Sequence, residues 1–232
     1  MLVTGGGGFI GSNLAKQLAR DGHDVIVADT LWASGWKNLV DFPGDVLTLA
    51  DRLDIDSIRD VARRYGGFDV IFHQAAITGV IAADGSASVG DDTHAFLRNN
   101  VEQFRQLLDL ALENSSRVVW ASSCSVYGRN PPPMAESQTV DPLNIYAFTK
   151  VQKERLAAIY ARRSAKPLVG LRYSNVYGPG EEHKGKLASM IYQLAKQMRQ
   201  GNRPRIFLAG EQRRDFVYID DVVNANVLAM DC

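Results

Sequence analysis

A run of glycines near the start of the chain, Thr4-Gly5-Gly6-Gly7-Gly8-Phe9-Ile10-Gly11, restricts the possible folds more than any other feature. It follows a short apolar stretch at 1–4 and precedes an amphipathic one at 12–20, so it reads as a turn joining a buried strand to a helix. Side chains are missing just where a ligand's phosphates would have to approach backbone N–H groups and the positive end of a helix. Both G-x-G-x-x-G (Gly6, Gly8, Gly11) and G-x-x-G-x-x-G (Gly5, Gly8, Gly11) are satisfied, and the Lys-Ser/Thr pair of a mononucleotide P-loop is absent. A second apolar run, 24–28, ends at Asp29, where a carboxylate accepts hydrogen bonds from adenosine ribose hydroxyls and repels a 2′-phosphate. A dinucleotide is implied, NAD by Asp29, with Lys37 a few residues on as a cation that would suit NADP.

The rhythm continues with apolar runs at 70–73, 117–121 and 168–172, separated by amphipathic stretches at 58–64, 96–113 and 144–163. Short buried strands alternating with helices describe an α/β protein with a doubly wound parallel sheet, the Rossmann architecture. After Arg172 the pattern changes to a Gly- and Pro-containing segment, a helix near 187–199, a short strand at 205–208 and a helix at 220–230. We therefore expect a dinucleotide-binding domain over 1–172 and a partial substrate-binding domain over 173–232.

The bulk properties exclude more than they assign. Lys plus Arg and Asp plus Glu number 26 each, so there is no net positive field to gather nucleic acid or an anionic membrane surface. No run is long enough to span a bilayer, and no secretory leader opens the chain, which makes the cytoplasm the expected location. Cys124 and Cys232 lie far apart, and His23, His73, His94 and His183 lack metal-ligand spacing, so neither a disulfide framework nor a metal site is expected.

Chemistry enters at Asn144-Ile145-Tyr146-Ala147-Phe148-Thr149-Lys150, which opens a helix. The i, i+4 spacing puts the Tyr146 phenol and the Lys150 ammonium on one face. A neighbouring cation favours the phenolate, and so gives a tyrosine of high pKa a route to acting as a base. Upstream, Trp120-Ala121-Ser122-Ser123-Cys124-Ser125-Val126-Tyr127-Gly128 places hydroxyls at the carboxyl end of a strand, the edge where open α/β sheets bind ligands, with Ser123 the candidate partner of a reacting hydroxyl.

Together with the glycine loop, these segments resemble the extended short-chain dehydrogenase/reductase superfamily over nearly the whole chain. The likeness includes Phe72-His73-Gln74-Ala75-Ala76, Asn99-Asn100-Val101 and Arg172-Tyr173-Ser174-Asn175-Val176-Tyr177-Gly178-Pro179. It implies cofactor contacts from Gly5, Gly8, Phe9, Ile10, Gly11, Asp29, Lys37, Ala75, Ala76, Asn100, Tyr146, Lys150 and Val176, with NAD or NADP as cofactor. It also implies a nucleotide-diphosphate sugar as substrate, held by Ser123, Asn175, Lys186, Phe207 and Arg214, and a homo-oligomer formed through the long helix and the Tyr146 helix. Superfamily members that dehydrate their sugar carry an Asp-Glu pair where this chain has Cys124-Ser125, which argues against dehydration.

The stretch Tyr177-Gly178-Pro179-Gly180-Glu181-Glu182-His183-Lys184-Gly185-Lys186 resembles the corresponding segment of ADP-glycero-manno-heptose 6-epimerases. That resemblance makes Lys184 a second catalytic base. The expected activity is epimerisation by transient oxidation and re-reduction of a sugar carbon, with Ser123, Tyr146, Lys150 and Lys184 as catalytic groups. Another nucleotide-hexose epimerase or reductase, and a non-catalytic NAD(P)-binding module, are the alternatives. Two departures bear on the substrate: the loop after Ala76 reads Ile77-Thr78-Gly79-Val80 without a run of small hydroxyl residues, and Ser174 stands where an aromatic is common. Superfamily members also continue beyond their R-D-F-V-Y segment, here Arg214-Asp215-Phe216-Val217-Tyr218, from which a fragment, or a short natural version that needs a partner, is expected.

Overall fold

A computed structural model of the chain describes residues 1–50, 54–78, 93–206 and 210–232. Six strands, β1 (Leu2–Thr4), β2 (Ile26–Asp29), β3 (Asp45–Thr48), β4 (Val70–His73), β5 (Arg117–Ser123) and β6 (Leu168–Tyr173), form one sheet in the order β3-β2-β1-β4-β5-β6. Every pairing is parallel, so the expected doubly wound α/β sheet is present.

Alternation along the strands sorts the core into two layers. Leu2, Ile26, Ala28, Ile71, Val118 and Trp120 face one way, and pack with residues of α2 (Ile55–Tyr65), α4 (Gln103–Asn114) and α5 (Ile145–Ala161). Val3, Val27, Val70, Phe72 and Val119 face the other way, and pack with α1 (Phe9–Arg20) and α7 (Ile219–Met230). The last helix, read from the sequence as part of a second unit, thus contributes Ile219, Val222, Val223 and Ala229 to the core of the sheet.

The strand at 45–48 was not legible as an apolar run, because an edge strand buries little: Asp45 and Thr48 are exposed and only Val46 and Leu47 are half-buried. Between α3 (Thr93–Phe96) and α4 the helix widens into a π-type turn over Leu97–Glu102, which turns Asn99 and Asn100 into the interior. After β6 come a two-stranded parallel ribbon, β7 (Asn175–Tyr177) with β8 (Phe216–Tyr218), and α6 (Met190–Arg199). The strand expected at 205–208 runs into residues 207–209, outside the described residues. Among the described residues no helix is long and apolar enough to cross a membrane.

Candidate active site

The strand order reverses at β1, whose neighbours are β2 on one side and β4 on the other, so a crevice opens beyond the carboxyl ends of β1 and β4. The glycine loop and residues 74–78 meet there. A Cβ on Gly5, whose φ is +71°, would lie 2.5 Å from Ala75 N, and one on Gly11 would lie 2.3 Å from Gly5 O. Gly8 is different. It is the N-cap of α1 in extended conformation, and its nearest obstacle would be Gly5 O at 3.2 Å. Among the described residues no side chain caps the helix start, which leaves the first-turn N–H groups of Phe9 and Ile10 without a capping acceptor, the condition for binding an anion there.

Asp29 closes the loop from β2. Its Oδ2 accepts from Gly7 N and its Oδ1 from Leu31 N, both at 2.8 Å, with further lone pairs open to a pair of ribose hydroxyls. Lys37, the cation that would suit a 2′-phosphate, is paired with Glu182, both side chains largely exposed. These features fit a dinucleotide: small residues where its phosphates approach, N–H donors at a helix start, and an acid at the ribose end.

Ser123, Tyr146 and Lys150 come together at the end of β5. Asn144 caps α5 through an acceptor bond from Ala147 N at 2.8 Å, which sets Tyr146 in the first turn. Ser123 stands close enough to the Tyr146 hydroxyl to act on its ionisation, and Ser123 Oγ accepts from Ser125 N at 3.1 Å. Burial pushes the Tyr146 phenol up to about 12, with Ser123 pulling the other way. Lys150 is fully buried, donates to Ala121 O at 2.8 Å, and is pushed down to about 7 by that burial. Its Nζ lies over the Tyr146 ring, 5.2 Å from the centroid, so here it acts on the face of the ring and not at the hydroxyl. Cys124 Sγ contacts Arg172 O at 3.1 Å, and burial raises its thiol pKa.

Asn100, expected against the cofactor, spends its amide on the protein. Oδ1 accepts from Ile77 N at 2.8 Å, and Nδ2 donates to Ile77 O at 3.0 Å and Thr149 Oγ1 at 3.2 Å. It therefore ties the loop after β4 to α5, and that loop carries Ala75 and Ala76. Val176 is likewise a core side chain, packed in the layer with Val3, Phe9 and Ile219.

Lys184 sits on a helical stretch over Glu182–Leu187, half-buried, with Nζ 5.2 Å from the centre of the Phe9 ring. Burial lowers its pKa, and the Glu181 carboxylate opposes that. Of the remaining substrate candidates, Asn175 donates through both N and Nδ2 to Asp215 O, the exposed Arg214 donates to Arg213 O, and Lys186 is exposed. Phe207 lies outside the described residues.

Three side chains near these groups escaped the sequence reading. Glu181 is 2% exposed and accepts from Gly178 N, Ser189 N and Ser189 Oγ, closing the 178–189 loop on itself. Asn38 bridges the glycine loop to Gly180. Lys153 is fully buried behind Lys150, 4.5 Å from the Phe104 ring centroid, and its Nζ has no hydrogen-bond partner among the described residues. Only Lys153 had a signal, a lysine one turn from Lys150 on the inward face of an amphipathic helix.

The sequence matches the NAD dependent epimerase/dehydratase family over residues 1–232. The chain belongs to this family. Family members similar to it include an ADP-L-glycero-D-manno-heptose-6-epimerase from Brachyspira hyodysenteriae, 37% identical over 232 residues that cover 97% of this chain and 70% of that protein. Among solved members, the Helicobacter pylori ADP-L-glycero-D-manno-heptose-6-epimerase superposes with a TM-score of 0.83 at 36% identity, covering 99% of this chain and 72% of that one. The UDP-glucuronic acid 4-epimerase from Bacillus cereus, in complex with UDP-glucuronic acid and NAD, gives 0.81 at 31% identity, covering 100% and 73%. The resemblance read from the motifs is borne out by these matches.

Proposed function

We propose that this epimerase-family chain inverts one carbon of a nucleotide-diphosphate sugar by transient oxidation and re-reduction, with ADP-heptose as substrate and C6 as the carbon. The observation that carries the reading is the grouping of Ser123, Tyr146 and Lys150 at the sheet edge that also carries the glycine loop, with the Lys184 segment packed on Phe9. NAD, when bound, supplies a reversible hydride acceptor. Asp29 favours NAD over NADP, and the pairing of Lys37 with Glu182 leaves a 2′-phosphate without a dedicated cation.

Within this reading the glycine loop and the α1 amides hold the dinucleotide, and Asp29 orients its ribose. Ser123 holds the reacting sugar hydroxyl against Tyr146; the positive nicotinamide ring of bound NAD would favour the ionised phenol, whose oxygen takes the proton as the sugar carbon becomes a ketone. The ketone then presents its opposite face, and Lys184 serves as the proton donor on that side. Without a carboxylate at Cys124 or Ser125 this strand end offers no acid to expel a sugar hydroxyl, so the ketone is re-reduced and not dehydrated. Lys186, Asn175, Phe207 and Arg214 are the proposed substrate contacts, with the Arg214 guanidinium suited to a diphosphate.

The test is incubation of NAD-loaded protein with ADP-heptose while the C6 configuration is followed by NMR. Inversion is expected, and its absence in loaded, folded protein overturns the reading. A second reading, epimerisation of another nucleotide hexose, is favoured by Ser174 in place of an aromatic, and turnover of UDP-hexoses in the same assay would establish it.

A further inference from the structure

We propose that Asn38 is a positioning residue that transmits the seating of the dinucleotide on the glycine loop to the segment carrying Lys184. The proposal rests on the reading of Lys184 as the second base. Asn38 lies in a single turn over Lys37–Leu39, and its Nδ2 donates to Gly7 O and Gly180 O, each at 3.2 Å. Gly7 is in the phosphate-binding loop, and Gly180 leads into Lys184. Two N–H groups on two carbonyls exhaust the amide's donors. His183 Nδ1 lies 3.2 Å from the same nitrogen and 3.0 Å from Gly180 O, so the consistent assignment protonates Nδ1, which donates to Gly180 O alongside Asn38.

The position of Gly7 makes this bridge sensitive to the coenzyme. Its N–H is held by Asp29 and its C=O by Asn38, so a phosphate settling on the loop shifts a peptide that both residues grip. On the other side the 178–189 loop moves as a unit, because the buried Glu181 carboxylate fastens Gly178 to Ser189. Asn13 Nδ2 adds bonds to Pro179 O at 3.0 Å and to Phe9 O at 2.9 Å, so it ties the same segment to the start of α1, whereas Asn38 ties it to the Gly7 peptide. The Lys37–Glu182 pair spans the same two segments in exposed positions, where an ion pair contributes little. Asn38 is the half-buried link from Gly7 to Gly180, and it holds both sides by neutral hydrogen bonds that salt does not screen.

Amide exchange read by mass spectrometry tests the coupling directly. In the native protein, NAD is expected to slow exchange in peptides covering 179–186 as well as in the glycine loop. In Asn38→Ala and in the isosteric Asn38→Asp, which puts an acceptor against two carbonyls, protection of 179–186 is expected to vanish while that of the glycine loop remains. Either variant, if folded, decides the matter, and coenzyme Kd should stay within about threefold of native. In turnover, kcat is expected to fall by about 10- to 100-fold at little change in KM, as a misplaced catalytic group predicts. Combined with Lys184→Met, the Asn38 substitution should cost nothing further. Retained protection of 179–186 in both variants, or losses that multiply in the double variant, would overturn the proposal. Full activity of Lys184→Met alone would instead remove Lys184 as the second base, and the exchange experiment would still report whether Asn38 couples the loops.

Discussion

Lys150 Nζ lies 5.2 Å from the centre of the Tyr146 ring and 2.8 Å from Ala121 O, so the cation one turn along the helix is fixed to the strand while it faces the phenol. The helix cap at Asn144 and the parallel sheet beneath α5 create this arrangement, and the protein adjusts both ionisations by burial: Tyr146 up to about 12, Lys150 down to about 7. A substrate hydroxyl delivered to Tyr146 therefore meets a buried phenol beside Ser123 in a site of low polarity. Replacing Tyr146 by Phe keeps this packing and removes the proton acceptor. We expect kcat to fall by about 10²- to 10⁴-fold with coenzyme affinity unchanged, measured by turnover and by NAD titration.

The depressed Lys150 pKa also has a stability signature. Its folded value is about 7 against an ordinary 10.5, so between those pH values the unfolded chain holds a proton that the folded chain lacks. The destabilisation from this group is full below pH 7 and is relieved as pH rises from 7 towards 10.5. Urea midpoints should therefore show a rising component across that window, and Lys150→Met should flatten it. An unchanged slope in the variant would contradict the assignment.

Lys153 contributes in the same direction. Its Nζ is buried against the Phe104 and Trp120 rings, 4.5 and 5.3 Å from their centroids, and has no hydrogen-bond partner among the described residues. Burial, with Lys150 nearby, holds its pKa well below the usual lysine value. Lys153→Met replaces an uncompensated amine by an apolar chain of similar length. It is expected to raise stability at neutral pH by about 1–3 kcal/mol, read from chemical denaturation.

The glycines separate folding from binding. Gly11→Ala puts a methyl 2.3 Å from Gly5 O, backbone that cannot retreat, and should lower the yield of folded protein. Gly8→Ala crowds Gly5 O at 3.2 Å by only a few tenths of an ångström in a conformation any residue adopts, so the thermal midpoint should fall far less than in Gly11→Ala. The added methyl stands at the start of α1, where the pyrophosphate approaches, and NAD affinity should fall by about tenfold or more. A large loss of stability in Gly8→Ala, or native affinity, would show that the loop is arranged otherwise.

The parts legible in the sequence were those where one residue type answers one local demand. The glycine loop, Asp29 at a strand end, and the i, i+4 pair of Tyr146 and Lys150 each declare themselves by spacing. The central strands do so by apolar runs, whereas β3, exposed at Asp45 and Thr48, does not. Asn38, Glu181 and Asn100 are polar residues whose importance lies in which backbone groups the fold brings to them, across separations of up to 142 residues for Asn38 to Gly180. No local pattern encodes such meetings. The direction of Lys150, over the ring and not at the hydroxyl, also depends on the distance to β5 and not on helical spacing alone.

Asn100 gives the sharpest case of an expected coenzyme contact whose amide also holds the fold together. Its amide satisfies both the N–H and the C=O of Ile77, at 2.8 and 3.0 Å, from a π-type turn that points it inward, and it reaches Thr149 on α5. Asn100→Ala leaves two backbone groups and a buried hydroxyl without that partner, for which a loss of about 2–4 kcal/mol is expected. The same change frees the loop that places Ala75 against Gly5, so NAD affinity should weaken although the Asn100 side chain itself bonds only protein groups here. Amide exchange at 75–78 should accelerate in the variant more than exchange in α1 does. If the affinity falls while exchange at 75–78 stays native, Asn100 touches the coenzyme directly; if both change together, it acts by holding the loop.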